Sequence, residues 1–348
     1  MKFSNRNVFL ITVLLAFLLT AGSCVAAFAA GLEERVVVYS THGEAMLEMV
    51  ADAFEKETGV RVDFINLKGQ LGDRVRAEKA NPQADVMYGA PSSVYQELMG
   101  EGLFAPCKPE WADRINPLFK DSEGYWYGTI QTPVLMFYNS DMLSADKAPK
   151  DWSDLANPQY KDMLVFRNAL SSSARATYTA LLQQYQRKNE MDAGWKFLKG
   201  VDANTKRYYG SGSLLFQAIG RKEAAISFAV LNSIIDNKVK NRMPLETIDA
   251  ASGSPVITDG IALIKGAKHP AAGKAFVEFA GSAKVQAMLA NKFNRMPTLP
   301  EALKDCPKWM SEIKFKVMDV DWGALAAVQS AWMQKWDSDI KDSSKDGK

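Results

Sequence analysis

Short apolar runs and amphipathic stretches alternate along this chain in a strand–helix rhythm. Residues 35–40, Arg-Val-Val-Val-Tyr-Ser, are β-branched and predict a buried strand. Thr41-His42-Gly43 turns it into a helix from about Glu44 to Thr58, in which Leu47, Val50 and Phe54 share a face and Gly59 supplies the stop. Residues 60–65 read as a second strand and 72–79 as a polar helix. Asn81-Pro82 breaks the chain before a third strand at 84–88, which runs through Gly89-Ala90-Pro91-Ser92-Ser93 into another helix. That order predicts an α/β fold with a mostly parallel sheet covered on both faces.

The pattern changes at residues 125–139, too long and too β-prone for a connector, which read as an extended segment crossing between two lobes. Beyond it come a strand at 163–166, a polar turn at 168–173, and a long helix through Ala180-Leu181-Leu182. A helix at 193–200 with Trp195 and Leu198 on one face, a short helix at 214–219 and a strand at 224–230 follow. A second β-rich stretch, 255–264, carries the chain back. Paired helices are expected over 270–291, then a C-terminal helix ending in Trp332 and Trp336, and a charged tail at 341–348 expected to be disordered. Lobe 1 is therefore assigned to 30–130 plus 259–292 and lobe 2 to 131–258, with the C-terminal helices and tail of 293–348 assigned to neither. About 320 residues after the leader exceed one ordinary core, which also predicts two lobes.

The leader itself is a short basic start with Lys2 and Arg6, an apolar run over 8–19, and small residues ending in Ala27-Phe28-Ala29. This is the layout of a secretory signal peptide (1–29), its apolar core short for a membrane span. An uncleaved anchor is the alternative, and Ala21-Gly22-Ser23-Cys24 offers a second, lipidation at Cys24, although Ala21 stands where a larger aliphatic residue is usual. Cleavage after Ala29 removes two bases and no acid, taking the formal charge from +2 to zero. A neutral mature chain points to neither nucleic acid nor an anionic membrane surface. Cys107 and Cys306 then remain, and an oxidising compartment predicts a disulfide between them, against the alternative of two unrelated small hydrophobes.

Of the two histidines, His269 reads as solvent-exposed in a loop before a helix, and one remaining histidine cannot build a zinc cluster. Gly210-Ser211-Gly212-Ser213-Leu214 misses a nucleophile elbow at its last position, and neither a phosphate-binding Gly-Lys-Ser/Thr loop nor a dinucleotide fingerprint occurs. The expectation is a non-enzyme without a cofactor. What recurs is a turn of small hydroxyl residues at a helix start, at Ser40-Thr41-His42-Gly43, Gly89 to Ser93, Asn168 to Ser173 and Tyr209 to Ser213. Each presents unpaired N–H groups and the positive end of a helix dipole, which suits an oxyanion, and lies where α/β sheets bind ligands. Each is also what an ordinary N-cap looks like.

In order and spacing, Val36-Val37-Val38-Tyr39-Ser40 with His42 and Ala45, residues 51–60, Ala84-Asp85-Val86-Met87-Tyr88, residues 195–200, and Gln217-Ala218-Ile219 with Ala224-Ala225-Ile226 carry a resemblance. The chain resembles the periplasmic solute-binding proteins of ABC transporters, in the branch that includes the ferric-ion-binding proteins. The resemblance implies a type II periplasmic binding protein, two α/β lobes joined by extended hinges around a ligand cleft. It also implies a periplasmic monomer that captures a small-molecule ligand and delivers it to an ABC transporter permease.

The family's iron ligands are a histidine after the first strand, a carboxylate after the third, and two adjacent tyrosines after the strand matching 224–229. Here these places hold His42, Ala90 and Val230-Leu231, and the last three supply no donor for a hard cation. A small organic anion, a phosphate ester, phosphonate or carboxylate, is therefore the expected ligand, with iron(III) or an iron chelate, or a sensor module docking to a receptor, as alternatives. The candidate site is Ser40, Thr41, His42, Gly89, Ser92, Ser93, Arg167, Asn168, Ser171, Ser172, Tyr209 and Ser211, with His42 a donor and Arg167 a counter-charge. Tyr88, Tyr127 and Tyr209 are candidate aromatic walls, and Tyr208 reads as packing or part of a ligand wall.

Overall fold

The computed structural model describes residues 31–67, 70–169 and 171–347; the expected signal peptide and Cys24 lie outside them. The chain opens with β1 (Arg35–Ser40), α1 (Glu44–Thr58), β2 (Arg61–Asn66), α2 (Leu71–Ala77), β3 (Val86–Pro91), α3 (Ser92–Gly100) and β4 (Phe104–Ala105). Helix α1 buries Met46, Leu47, Val50, Ala51 and Phe54, and stops because Gly59 takes φ 75°, its N–H closing onto Glu55 O. β5 (Tyr127–Asn139) is followed by β6 (Leu164–Arg167), α4 (Ser172–Gln186), α5 (Met191–Asn204) and β7 (Thr205–Tyr209). Then come α6 (Gly212–Gly220), β8 (Ile226–Val230), α7 (Leu231–Lys240), β9 (Leu245–Ile248) and β10 (Val256–Ile264). The chain finishes with α8 (Pro270–Ala280), α9 (Ala283–Phe293), β11 (Met296–Pro297), α10 (Lys308–Glu312) and α11 (Trp322–Lys335).

The strands run in the order β2-β1-β3-β10-β5-β8-β6-β7. β5 belongs to both halves. Its first part, Tyr127 to Pro133, pairs antiparallel with β10, and Val134 to Asn139 pair with β8 and β9. In the first half β1 is parallel to both β2 and β3; in the second β6 is parallel to β7 and β8. Apolar clusters lie around each half: Val36, Val38, Phe54 and Phe276 in one, and Met136, Phe166, Phe228 and Trp336 in the other. A thirteen-residue strand with Val134 to Phe137 fully buried is too apolar for a surface connector, which is why the sequence betrays it.

Three expectations need correction. The charged tail is ordered: Asp346 bridges to Tyr208 beside β7, the Gly347 N–H donates to Tyr208 O at 2.7 Å, and Lys341 pairs with Asp337 and Asp346. β7 ends the strand order, so its outer edge has unmet hydrogen-bonding groups that the tail satisfies. His269 is not free in solvent; its Nδ1 lies 2.8 Å from buried Asp85, which also accepts from the His269 and Val37 N–H groups. The Cys107–Cys306 disulfide is not formed. Both thiols are free; that of Cys306 donates to Ala302 O, and burial pushes both up to about 11. Tyr208 and Tyr209 close a strand, β7, that its charged neighbours Lys206 and Arg207 disguise in the sequence.

The C-terminal segment ties the halves together. Asp321, the N-cap of α11, exchanges two hydrogen bonds with Gln183 of α4, while Gly323 packs directly on Gln96 of α3. Among the described residues no helix is long and apolar enough to cross a membrane.

Candidate functional site

Because β1 and β3 are parallel neighbours, the turns at their carboxyl ends lie side by side. Ser40 and Thr41 build this junction. The Ser40 hydroxyl accepts the His42 N–H at 3.0 Å, and the Thr41 hydroxyl accepts the Ala90 N–H at 2.7 Å. Asn66 donates to His42 O at 2.7 Å. Gly89 has φ 96°, and a Cβ there would lie 2.9 Å from the Thr41 hydroxyl and 3.0 Å from the His42 ring. Ala90 also has positive φ, 73°, a strained conformation for a residue with a side chain, held by the Thr41 hydrogen bond. The starts of α1 and α3, with Ser92 buried and Ser93 half-buried, have no side-chain cap, so their first N–H groups stay available.

His42 is buried and its ring stands edge-on to Tyr88 at 4.8 Å. Neither His42 Nε2 nor the Tyr88 hydroxyl has a hydrogen-bond partner among the described residues. Burial first, and the nearby Arg295 charge second, hold the imidazole down to about 3, so it is neutral at physiological pH.

The second group of turns follows β6, β7 and β8. Arg167 ends β6, donates from one guanidinium nitrogen to Gly210 O at 3.1 Å, and leaves its buried Nε unpartnered. Burial lowers its affinity for the proton, yet the guanidinium stays charged. Asn168 Oδ1 is likewise unpartnered. Ser171 precedes α4 without capping it and shares a 3.1 Å hydrogen bond with Ser173; Ser172 is exposed in the first turn. α7 begins uncapped at Val230-Leu231, where both side chains are aliphatic.

Three expected contributors are occupied elsewhere. Ser211 caps its own helix by accepting from Leu214 N–H, the Tyr209 hydroxyl donates to Glu223 at 2.8 Å, and Tyr127 donates to Cys107 O. Tyr208 donates to Asp202 in the interior. A groove of about 630 Å³ between α6 and α7, lined by Ser213, Phe216, Asp236 and Asn237, opens beside the turn that ends at Ser213.

The sequence reading missed Asp259 and Arg295. Asp259 sits at a register shift in β10, opposite Pro91 and Ile130, and Arg295 immediately precedes β11, which pairs with Ile130 and Gln131. Both therefore reach the β1–β3 turns. Burial raises the Asp259 carboxyl to about 6, partly offset by Arg295. The signal was there: an acid interrupts the apolar run Val256 to Ile264. Among the described residues no group of three or more His, Cys, Asp and Glu is gathered as a metal cage.

Residues 81–322 match the family of bacterial extracellular solute-binding proteins, and the chain belongs to it. A Sinorhizobium fredii periplasmic-binding protein assigned to an ABC transporter, y4fP, is 32% identical over 334 residues, covering 92% of this chain and 91% of that one. A Salmonella typhimurium periplasmic protein assigned to 2-aminoethylphosphonate binding is 25% identical, covering 88% of each. The structure of a Bordetella ferric binding protein superposes with TM-score 0.77 at 20% identity, over 87% of this chain and 98% of that one. The fold is that of a type II periplasmic binding protein, and the protein is a periplasmic-type solute-binding protein of an ABC transporter, in a family of binders rather than enzymes.

Proposed function

We propose that this protein is exported, works as a monomer, and captures a small organic anion between its lobes for delivery to an ABC importer permease. The observation that carries this reading is Arg167, whose buried Nε lacks a partner beside Asn168 and the uncapped start of α4. A cation at an open helix start is an anion site waiting for its ligand. The Salmonella relative assigned to a phosphonate supports the same class. Closure follows because a ligand touching both lobes binds the closed state better than the open one.

A second reading, iron(III) or an iron chelate, is favoured by His42 standing where the family places its histidine ligand, against Tyr88, on which the Asp259 carboxylate acts. One experiment separates them: mass spectrometry of small molecules released from denatured protein, with thermal shifts against phosphonates, phosphate esters, carboxylates and ferric citrate. An anion at a hundredfold its Kd stabilises by about 2.7 kcal/mol, a shift on the order of 2–4 °C. A visible absorption band with ferric citrate and no shift with any metal-free anion would replace the anion reading by the iron one.

A further inference from the structure

Among the described residues two acids, Asp85 and Asp202, are buried, and both are fully engaged. Asp85 accepts from two backbone N–H groups and meets His269, and Asp202 accepts from the Tyr208 hydroxyl and the Asp342 N–H and meets Lys345. Asp259 forms no hydrogen bond through its carboxylate and no ion pair among the described residues. It is nevertheless partly buried, at the carboxyl-end turns of β1 and β3. Arg295, close enough to act on His42, Tyr88 and Asp259, pairs with no carboxylate among the described residues. A half-buried carboxylate that no side chain or backbone N–H holds, beside an arginine that no carboxylate holds, is placed where a ligand can supply the partner.

Around it, His42 Nε2 and the Tyr88 hydroxyl are buried and unpartnered, and the Tyr95 hydroxyl is already used on Gly89 O and Gly260 O. The other half of the molecule offers the opposite charge, Arg167 with an open helix start. We infer that the ligand is a zwitterion: its anionic group meets Arg167 and the start of α4, and its ammonium group meets Asp259, with His42 and Tyr88 completing the polar lining. This rests on the anion reading above and adds the second charge. An ammonium group converts an unpartnered carboxylate into a charge-assisted pair, whereas an amine-free anion leaves Asp259 with only the neighbouring Arg295 charge to offset it.

The test is calorimetry of the intact mature protein with matched pairs of probes. ω-Aminoalkylphosphonates and ω-amino acids are compared with the same chains ending in methyl or hydroxyl. The amino member of at least one pair is expected to bind on the order of 10- to 100-fold tighter than both counterparts. In Asp259→Asn that preference should collapse to within about threefold, while amine-free anions bind at least as well as before. Equal binding of amine and methyl members in the parent protein would overturn the zwitterion and leave the anion reading standing. Hydroxyl members matching the amines would overturn it in favour of a neutral donor. Binding of no anion at all would remove both readings together. The ratio in the parent decides the question even if the variant folds poorly.

Discussion

The two groups of helix-start turns solve the same topological problem with opposite chemistry. Around β1 and β3 the backbone is locked: Ser40, Thr41 and Asn66 spend their side chains on it, and Gly89 and Ala90 adopt positive φ in direct contact with Thr41 and His42. Around β6 and β7 the turn is more open: the Ser171 hydroxyl meets only that of Ser173, and a Cβ on Gly210 would meet nothing closer than the Asn168 amide at 4.0 Å. The first wall carries a neutral imidazole and charges of both signs; the second carries Arg167 and, in the first turn of α4, Arg175, which donates to Ala169 O. A hydroxyl at a helix start therefore does not identify a ligand group. In the first wall the hydroxyls hold the scaffold that positions deeper residues; in the second, Ser211 caps its helix while Ser171 caps nothing.

The largest expected effect tests that rigidity directly. Gly89→Ala must accept φ 96° and contacts of 2.9–3.0 Å, and should cost about 2–4 kcal/mol. Gly210→Ala should stay within about 0.5 kcal/mol. Denaturant unfolding of both variants makes the comparison; equal losses would break it.

Acid should expose the next difference. His42 is held near 3 in the fold against 6.5 in the unfolded chain. Below pH 6.5 the unfolded chain takes up a proton that the fold refuses, so stability falls as pH drops, by about 1.4 kcal/mol per unit from this group. Between pH 7 and pH 5 His42→Gln should lose about 2 kcal/mol less than the parent. Parallel pH profiles for the two proteins would mean that His42 is hydrated after all.

Asp259 has the reverse sign. Its carboxyl is raised to about 6 from 3.8, so the fold holds the proton more tightly and loses stability as pH rises from about 4 to 6. Asp259→Asn should then stabilise the ligand-free protein at pH 7.5 by about 1–3 kcal/mol, with the gain shrinking toward pH 4. A destabilised variant at pH 7.5 would show a partner for Asp259 already present.

Much of this fold is legible in the residues. The β-branched run at Val36 to Val38, the helical face of Leu47, Val50 and Phe54 with its Gly59 stop, and the long apolar β5 each follow from period and burial. The short strands β7 and β9 are not legible, because Lys206, Arg207 and Glu246 face solvent and erase the apolar signal. The tail's order depends on Asp202 and an open strand edge far away in sequence. At the candidate site, His42 and Arg167 could be chosen from local pattern, whereas Asp259 and Arg295 reach it only through the pairing of β10 and β11 with β3 and β5. Local sequence cannot distinguish a hydroxyl that caps its helix from one that does not, as Ser211 and Ser171 demonstrate.

That pair gives the smallest and most discriminating prediction. Ser211 accepts the Leu214 N–H at 3.2 Å, so Ser211→Ala removes a true cap and should cost about 1 kcal/mol of stability, typical of N-cap truncation. Its hydroxyl is committed to α6, and affinity for an anionic ligand should stay within about twofold. Ser171 precedes α4 in the same way but caps none of its backbone N–H groups, its hydroxyl meeting only that of Ser173. Ser171→Ala should therefore unfold within about 0.5 kcal/mol of the parent and weaken anion binding by about 0.5–1.5 kcal/mol, the net worth of one neutral hydrogen bond. Thermal unfolding and calorimetry on the two variants read both axes at once. A crossed result, stability lost in one and affinity in the other, is what the geometry requires; losses on the same axis in both would return Ser171 to the role of an ordinary cap.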